Sequence, residues 1–293
     1  MPKIGIVIVN YNGEAVLSES VRSLYNMTEK DFSIVVVDNA SKDKSISMLR
    51  DDFPEVTVLE QDENLGFAEG NNIGFRQCEE WNVEYVLIIN NDVEADPAML
   101  TELLKASGGE RPAVPKIYYF GTNTIWSAGG ELRWNRGSAV HYGIHEEDKG
   151  QYDEKKIVSF ATGCCILIPF WIIRKHGMFD KDLFMYCEDM DLCARWQIAG
   201  VEPMYAPRAK LWHKISSSSG GEDSPLSIYY MFRNQFVFMH RYSERLRFPA
   251  WPYAFLRALS RFLLSPVRKR NDRYILLALV DYCRGKTGKK EWG

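Results

Sequence analysis

Residues 87–96 read LIINNDVEAD, an apolar run that ends in two asparagines and an aspartate. Residues 85–90 (YVLIIN) are nearly all apolar, which is typical of a strand that is covered on both faces. Asn and Asp also favour turns, because their side chains hydrogen-bond the nearby backbone, so turn chemistry alone explains this strand end. The other interpretation is that Asp92 stands there to bind a cation. The rest of the chain decides between the two.

Similar β-branched runs precede this one, and each is followed by a segment with helical spacing. The predicted strands are 3–10, 33–38 and 56–60, and the predicted helices are 14–25, 42–52 and 68–81, with a further helix at 98–106 after Pro97. Strands that read as continuous apolar runs and alternate with helices predict an α/β fold. Its central sheet should be mainly parallel and flanked by helices.

The rhythm changes after Gly108. Short β-like pieces fill 113–169, a helix is predicted at 185–200, an extended piece at 204–207 and a polar loop at 212–223. Three helical stretches are predicted between 225 and 282. We therefore predict a catalytic domain over 1–224, with halves 1–108 and 109–224, and a C-terminal helical extension over 225–293. No run is long and apolar enough to predict a membrane span.

Charge is distributed unevenly along the chain. Residues 229–293 contain 14 basic and 4 acidic side chains, whereas the other residues contain 22 and 35. In this tail, arginines 257, 261, 268, 270 and 273 lie among Phe255, Leu256, Leu259, Phe262 and Leu263. This mixture predicts basic helices that contact a membrane surface peripherally, although basic faces that are merely solvated remain an alternative. We predict no nucleic-acid partner.

Six cysteines without CxxC spacing predict a reducing compartment. The first apolar run is too short for a signal peptide, so we expect the protein in the cytoplasm.

Ligands of open α/β sheets bind beyond the carboxyl ends of the strands. Here these ends carry amides and carboxylates, in the stretches 10–13 (NYNG), 38–41 (DNAS), 64–72 (NLGFAEGNN) and 90–92 (NND). Each loop alone is explained as a turn, but four on one edge predict a ligand site. The chain has neither GxGxxG nor a P-loop, so something else must neutralise the phosphates of a bound nucleotide. A divalent cation on Asp92 could do so.

Two later stretches add candidate residues. YCEDMDLCAR, residues 186–195, places Glu188, Asp189 and Asp191 at the start of a helix. Their alternative role is to complement the helix dipole, together with an Asp191–Arg195 pair one turn apart. His213, in LWHK, is a lone histidine of the kind that is usually structural, but imidazole also binds manganese-like ions.

The ordered set VNYNG, VVVDNASKD, NLGFAEGNN, NNDV, TGCCILIP, YCEDMDLCAR and WH resembles the family 2 glycosyltransferases with a GT-A fold. The likeness is greatest to the branch that contains bacterial rhamnosyltransferases. It covers residues 3–213 and leaves out the tail. The metal motif of the family is usually Asp-x-Asp, and Asn90 replaces its first position here, which leaves Asp92 as the principal carboxylate ligand.

The resemblance implies a role for each matching residue and for each half of the catalytic domain. The first half would bind the nucleotide sugar through Val9, Tyr11, Asp38, Asn64, Gly66, Ala68, Asn72 and Asn91. Asp92 and His213 would hold Mn²⁺ or Mg²⁺ on the diphosphate. The second half would bind the acceptor through Trp126, Gly163, Glu188 and Asp191. Asp189 would be the general base that takes the proton of the acceptor hydroxyl, and its helix N-terminus would keep it ionised.

We therefore expect a metal-dependent inverting glycosyltransferase that acts at the inner face of the cell membrane. It would move a sugar, with rhamnose as one candidate, from a dTDP- or UDP-sugar to a saccharide or lipid-linked acceptor in cell-surface polysaccharide synthesis. One alternative is a sugar-phosphate nucleotidylyltransferase, which normally has a Gly-rich basic loop where this chain has NYNGEAV. The other is a non-catalytic nucleotide-sugar-binding protein, which would be favoured if the base or metal ligand were missing.

Overall fold

A computed structural model describes residues 3–214, 224–268 and 273–292 of the chain. The strands in these ranges are β1 (Ile4–Asn10), β2 (Phe32–Asp38), β3 (Thr57–Glu60), β4 (Tyr85–Ile89), β5 (Val93–Ala95), β6 (Ala113–Tyr119), β7 (Ile125–Ser127), β8 (Gly130–Arg133), β9 (Ser138–His141), β10 (Lys156–Ile157), β11 (Cys165–Pro169) and β12 (Met204–His213). The helices are α1 (Leu17–Tyr25), α2 (Ser45–Asp52), α3 (Gly66–Glu80), α4 (Met99–Ser107), α5 (Phe170–His176), α6 (Glu188–Ile198), α7 (Pro225–Arg241), α8 (Ala250–Arg268) and α9 (Arg273–Cys283).

The main sheet has the strand order β10-β12-β6-β11-β4-β1-β2-β3. Strands β3, β2, β1 and β4 are parallel, and β11 joins them antiparallel to β4. Asn10 at the end of β1 lies opposite Asp38 at the end of β2. The predicted α/β class with a parallel core is therefore confirmed, and the polar ends of β1, β2 and β4 meet at one edge.

Alternate residues of the central strands pack into two separate cores, one on each face of the sheet. Val7 and Val37 belong to the core that includes Phe75 of α3. Ile6 and Val36 belong to the core that contains residues of α1, α2 and α4. Because both faces are covered, the strands need apolar residues at every position, which explains why their sequences run continuously rather than alternate.

Close packing of α3 on β1 requires glycine at two positions one turn apart in α3, Gly70 and Gly74. A Cβ atom at Gly70 would lie 2.9 Å from a methyl carbon of Val9, and one at Gly74 would lie 2.2 Å from a methyl carbon of Val7. Side chains at these positions would push the helix off the sheet. The glycines thus position the first turn of α3 beside the strand ends.

The polar loop is predicted to begin at residue 212, but in the structure β12 extends to His213. Strand β12 continues to His213, because it pairs with β6 through an irregularity between Ala206 and Lys210. The three-residue strand β5, which the sequence analysis missed, also pairs with β12 and sets His213 opposite Val93. Most of the predicted loop, residues 215–223, lies outside the described residues.

The three helices predicted between 225 and 282 are α7, α8 and α9. Phe232 and Phe236 of α7 lie in the same core as Trp196 of α6, so the helical extension and the second half of the catalytic domain are packed together. The boundary at residue 224 stays a prediction. Among the helices described, none is both long and apolar enough to cross a bilayer.

Candidate active site

A cavity of about 1030 Å³ opens at the carboxyl ends of the parallel strands. Ligand pockets commonly measure about 300–1,000 Å³, so this one has room for a nucleotide and a second substrate. Its lining includes Val9, Tyr11 and Asn64 as well as residues of α6, α7 and α8. Both the first half of the chain and the C-terminal helices therefore contribute to the same cavity.

A buried network of hydrogen bonds joins the strand ends. Nδ2 of Asn10 donates to Oδ1 of Asp38 (2.9 Å), and Oδ1 of Asn10 accepts from Nδ2 of Asn91 (2.9 Å). The backbone N–H and the hydroxyl of Ser41 both donate to the Asp38 carboxylate. Asp38 is not among the residues that line the cavity. It fixes the loop after β2, and its contact with a nucleotide stays a prediction.

The other residues predicted to bind the nucleotide sugar divide into two sets. Those that line the cavity are Val9, Tyr11, Asn64, Gly66 and Asn91. Ala68 and Asn72 are buried behind it. The N–H of Ala68 donates to the carbonyl of Phe184 (3.1 Å), and the Asn72 amide exchanges two hydrogen bonds with the backbone of Phe179. Ala68 and Asn72 thus tie α3 to the segment that precedes α6.

Asp92 and His213 face each other across the β5–β12 pairing. Nε2 of His213 lies 3.0 Å from Oδ1 of Asp92 and 3.3 Å from Nδ2 of Asn90, and Asp92 and His213 are buried. Burial opposes protonation of His213, but Cys164 and Asp92 outweigh it and raise the pKa of the imidazole. We attribute the direction to Asp92, because burial raises the pKa of the Cys164 thiol and keeps it neutral.

These two side chains suit a divalent cation that also carries substrate oxygens. Mg²⁺ is commonly bound by one or two carboxylates plus phosphates and waters rather than by a full protein cage. In the described part of the chain, no cluster of three or more His, Cys, Asp or Glu could hold a metal ion. A separation of 3.0 Å is compatible with two ligand atoms on one ion. A cation here would have to displace the proton of His213.

Asp189 lies in the first turn of α6, and both of its carboxylate oxygens are held by the backbone. Oδ2 accepts from the N–H of Gly163 (3.0 Å), and Oδ1 accepts from the N–H of Met190 (2.7 Å). Burial raises the pKa of Asp189 to about 6, although these N–H groups oppose the shift. Burial therefore has a larger effect on this carboxyl than the backbone N–H groups at the start of the helix. The carboxylate nevertheless remains mostly ionised at neutral pH.

Glu188 and Asp191, the two other carboxylates of this turn, differ in their surroundings. Glu188 lines the cavity, and its Oε2 is buried without a hydrogen-bond partner among the residues that the structure describes. Burial, with a further contribution from Asp189, raises the pKa of Glu188 well above its ordinary value. Asp191 instead pairs with Arg195 (3.0 Å) and Arg241 (2.6 Å) outside the cavity. The predicted Asp191–Arg195 pair is therefore present, and contact of Asp191 with an acceptor stays a prediction.

The loop before α6 has an unusual backbone. Phe184, Tyr186 and Cys187 have φ of 62°, 64° and 70°, a region that non-glycine residues rarely adopt. Asn234 of α7 is fully buried, and its Nδ2 donates to the carbonyl oxygens of Leu183, Met185 and Tyr186. The sequence carried no signal for this role of Asn234, because the contact joins segments about fifty residues apart.

Trp126 and Gly163, predicted to face the acceptor, both line the cavity. The ring of Trp126 lies 4.9 Å from that of His213, centroid to centroid, so the indole lies beside the candidate metal ligands. A Cβ atom at Gly163 would lie 2.9 Å from the ring of Phe67. The bare glycine lets the backbone N–H approach Asp189.

The described arginines of the tail lie in different surroundings from one another. Arg257, expected at a membrane surface, instead lines the cavity, and Arg261 stacks over Phe232 at 5.8 Å. Arg273 is exposed. The side chains at 268 and 270 lie outside the described residues. The sequence analysis also missed Arg136, Gln235 and Tyr253, which line the same side of the cavity as Arg257.

A solved structure identifies the fold class. Mannosyltransferase PcManGT from Pyrobaculum calidifontis, solved with GDP-Man and Mn²⁺, superimposes with a TM-score of 0.61 at 14% identity, over 98% of this chain and 88% of that one. The fold is the GT-A fold of glycosyltransferases. The chain belongs to glycosyl transferase family 2, whose family model matches residues 5–177, more than half of its length. The predicted family is confirmed, and glycosyl transfer is favoured over nucleotidylyl transfer.

Two relatives are similar over nearly their whole length. An N-acetylglucosaminyl-diphospho-decaprenol L-rhamnosyltransferase of Mycobacterium tuberculosis is 25% identical over 94% of this chain and 97% of its own. The dTDP-rhamnosyl transferase RfbF of Shigella flexneri is 24% identical over 96% of each chain. The predicted resemblance to rhamnosyltransferases is thus confirmed as a similarity of sequence.

Proposed function

We propose that this chain is a metal-dependent inverting glycosyltransferase that uses a nucleotide-diphosphate sugar as donor. The observation that carries the proposal is the content of one cavity. Its lining includes the Asp92–His213 pair, suited to a cation, and the partly buried carboxylate of Asp189, held by two backbone N–H groups. A displacement at an anomeric carbon needs both a stabilised leaving group and a base for the acceptor hydroxyl.

Asp189 is the proposed general base. Because Gly163 and Met190 fix its two oxygens, the carboxylate is oriented before the acceptor arrives. A pKa of about 6 suits a base that works near neutral pH. Asp92 and His213 would hold Mn²⁺ or Mg²⁺, which would offset the charge that develops on the departing diphosphate.

We propose that Val9, Tyr11, Asn64, Gly66 and Asn91 bind the nucleotide sugar. The names of the two relatives support dTDP-rhamnose as a donor candidate and a lipid-linked saccharide as an acceptor candidate, as in cell-surface polysaccharide synthesis. A UDP-sugar remains the other donor candidate.

We also propose that α8 contacts the inner face of the cell membrane. Phe255, Leu256, Leu259 and Leu263 expose more than half of their surface on this helix, a pattern suited to a peripheral membrane helix. Liposome sedimentation should show binding that a Leu256→Glu/Leu259→Glu variant loses. The matched control Leu276→Glu, on α9, should still bind. Equal binding of all three proteins would contradict this part.

Transfer itself is tested by mass spectrometry of products formed from dTDP-rhamnose or UDP-sugars, Mn²⁺ and an N-acetylglucosaminyl-diphospho-lipid. The wild type should form product. Asp189→Asn should bind the donor normally but turn over about 10²–10⁴-fold more slowly, the usual contribution of a positioned base. Transfer by Asp189→Asn at the wild-type rate would exclude Asp189 as the base. Failure of every nucleotide sugar to bind, with or without Mn²⁺, would overturn the proposed function.

A further inference from the structure

Two arginines from distant parts of the chain line the cavity. Arg136 lies in the turn between β8 and β9, and Arg257 lies in the second turn of α8. Gln235 of α7 connects them. Its Oε1 accepts from Nη1 of Arg257 (2.9 Å), and its Nε2 donates to the carbonyl of Gly137 (3.1 Å), the residue after Arg136. The two guanidinium groups therefore belong to one connected part of the cavity lining.

Neither guanidinium has a carboxylate partner within the described residues. Arg136 stacks on the ring of Tyr253 at 5.0 Å, and Arg257 lies over the ring of Phe232 at 5.1 Å. Both contacts orient the groups without neutralising them. Arg241 of α7 shows the contrast, because it pairs with Asp180 and Asp191 outside the cavity.

A partly buried cation without a counter-ion is costly, and proteins normally pair such charges. Burial, with the nearby Arg261, lowers the pKa of Arg257, which is the direction expected for a positive charge without compensation. Two such groups in the lining of one cavity favour an anionic ligand. Arginine is suited to phosphate, because its planar fork can donate two parallel hydrogen bonds.

Helix α8 carries both residues that line the cavity and an exposed apolar surface. Tyr253 and Arg257 face the cavity, whereas Leu256 and Leu259, on adjoining turns, are 64% and 52% exposed. A ligand that joins an anionic group to a hydrocarbon chain could thus contact the arginines with one part and the exposed face of α8 with the other. A nucleotide sugar has no such chain.

We infer that Arg136 and Arg257, supported by Gln235, form a subsite for the phosphate or diphosphate group of a lipid-linked acceptor. The inference rests on the proposed function and specifies its acceptor as anionic. It places the lipid phosphate beside α7 and α8, in the same cavity as Asp189.

Equilibrium binding of farnesyl diphosphate to the full chain tests this subsite without any donor or turnover. The wild type should bind farnesyl diphosphate, and Arg136→Gln and Arg257→Gln should each weaken binding by about 10- to 100-fold, as expected for a charge-assisted hydrogen bond. Arg257→Lys should weaken it less than Arg257→Gln, because the charge is kept. The control is Arg208→Gln, an exposed residue outside the cavity, which should bind like the wild type. Thermal unfolding of each variant shows whether it is folded.

Two further ligands separate the possible sources of the effect. Inorganic pyrophosphate should bind at least 10-fold more weakly than farnesyl diphosphate, and equal affinity would overturn the assignment to a lipid-linked group. Affinity for dTDP or UDP with Mn²⁺ should change less than twofold in Arg136→Gln and Arg257→Gln. If these variants lose nucleotide affinity and keep farnesyl diphosphate affinity, the arginines belong to the donor site and the inference is wrong. The proposed function would survive that result, and it would fail separately if nucleotide sugars did not bind.

Discussion

Nδ2 of Asn234 lies 2.8 Å from the carbonyl oxygen of Tyr186 and so links α7 to the loop that precedes the proposed base, Asp189 of α6. The same amide reaches the carbonyls of Leu183 (2.6 Å) and Met185 (2.9 Å). Non-glycine residues with positive φ cost roughly 1–3 kcal/mol each when the conformation is sparsely populated. The hydrogen bonds of Asn234 offset part of this cost. The loop shape, and with it the position of Asp189, depends on a helix about fifty residues further along the chain.

Asn234→Ala should therefore lower both stability and turnover. We expect a loss of about 1–3 kcal/mol in the free energy of unfolding, because one buried carbonyl (Leu183) and two partly buried ones (Met185 and Tyr186) lose a donor. We also expect kcat to fall while donor affinity stays near that of the wild type, because the donor residues lie on other elements. Chemical denaturation and steady-state kinetics measure the two effects. Asn26→Ala, an exposed asparagine at the end of α1, is the control. An unchanged kcat in a folded Asn234→Ala protein would contradict the positioning role.

The pKa of about 6 at Asp189 predicts how turnover depends on pH. A general base must be deprotonated, so activity is present above pH 6 and is lost as the pH falls through this value. Below it, kcat should decrease about tenfold per pH unit. A kcat profile between pH 5 and 8 at saturating substrates checks this. A flat profile over that range would mean that another group, or another step, controls the rate.

The raised pKa of Glu188 predicts that the stability of the protein, rather than its turnover rate, depends on pH. Its pKa is raised on folding, so the folded chain binds this proton more tightly than the unfolded chain does. The wild type therefore loses stability as the pH rises above the ordinary value of 4.5 towards the folded pKa. Glu188→Gln cannot ionise and avoids this loss. The difference in Tm between variant and wild type should increase in favour of the variant from pH 5 to pH 8. A difference independent of pH would show that Glu188 stays ionised in the folded protein.

Asp92→Ala separates cation binding from nucleotide binding. Calorimetry with dTDP and UDP, with and without Mn²⁺, should show metal-dependent affinity in the wild type and affinity insensitive to Mn²⁺ in the variant, because a principal oxygen ligand is gone. Asp96→Ala changes a carboxylate that is four residues away and outside the cavity, and it should keep the dependence. Mn²⁺ dependence that persists in Asp92→Ala would place the cation on other residues.

The sequence predicted the parts of the site that follow from strand order. Asp92 and Asn91 come directly after β4, and parallel strands bring their carboxyl ends to one edge, so these residues could be located without coordinates. The sequence does not show which way each carboxylate faces. Asp191 and Asp189 are two residues apart on α6, yet Asp191 pairs with Arg241 whereas Asp189 lines the cavity. Such differences depend on tertiary partners.

Long-range contacts account for the rest of what was missed. Strand β5 has three residues and no periodicity to reveal it, but its pairing with β12 brings His213 to Asp92. Arg257 lies in a stretch whose mixture of arginine and leucine predicts a membrane surface, and only the packing of α8 against α7 turns this one arginine into the cavity. Helical periodicity shows that a face exists, but not which neighbour covers it.

The hydrogen bonds from Asn234 to residues 183–186 have a practical consequence for the design of truncated forms of this chain. Residue 224 looks like a natural place to cut, because the family resemblance in the sequence has already ended there. A fragment that stopped at this point would keep every carboxylate discussed above, but it would leave three loop carbonyls without their donor and Trp196 without the aromatic rings of α7. Such a fragment would be expected to express poorly, and its inactivity would say nothing about Asp189.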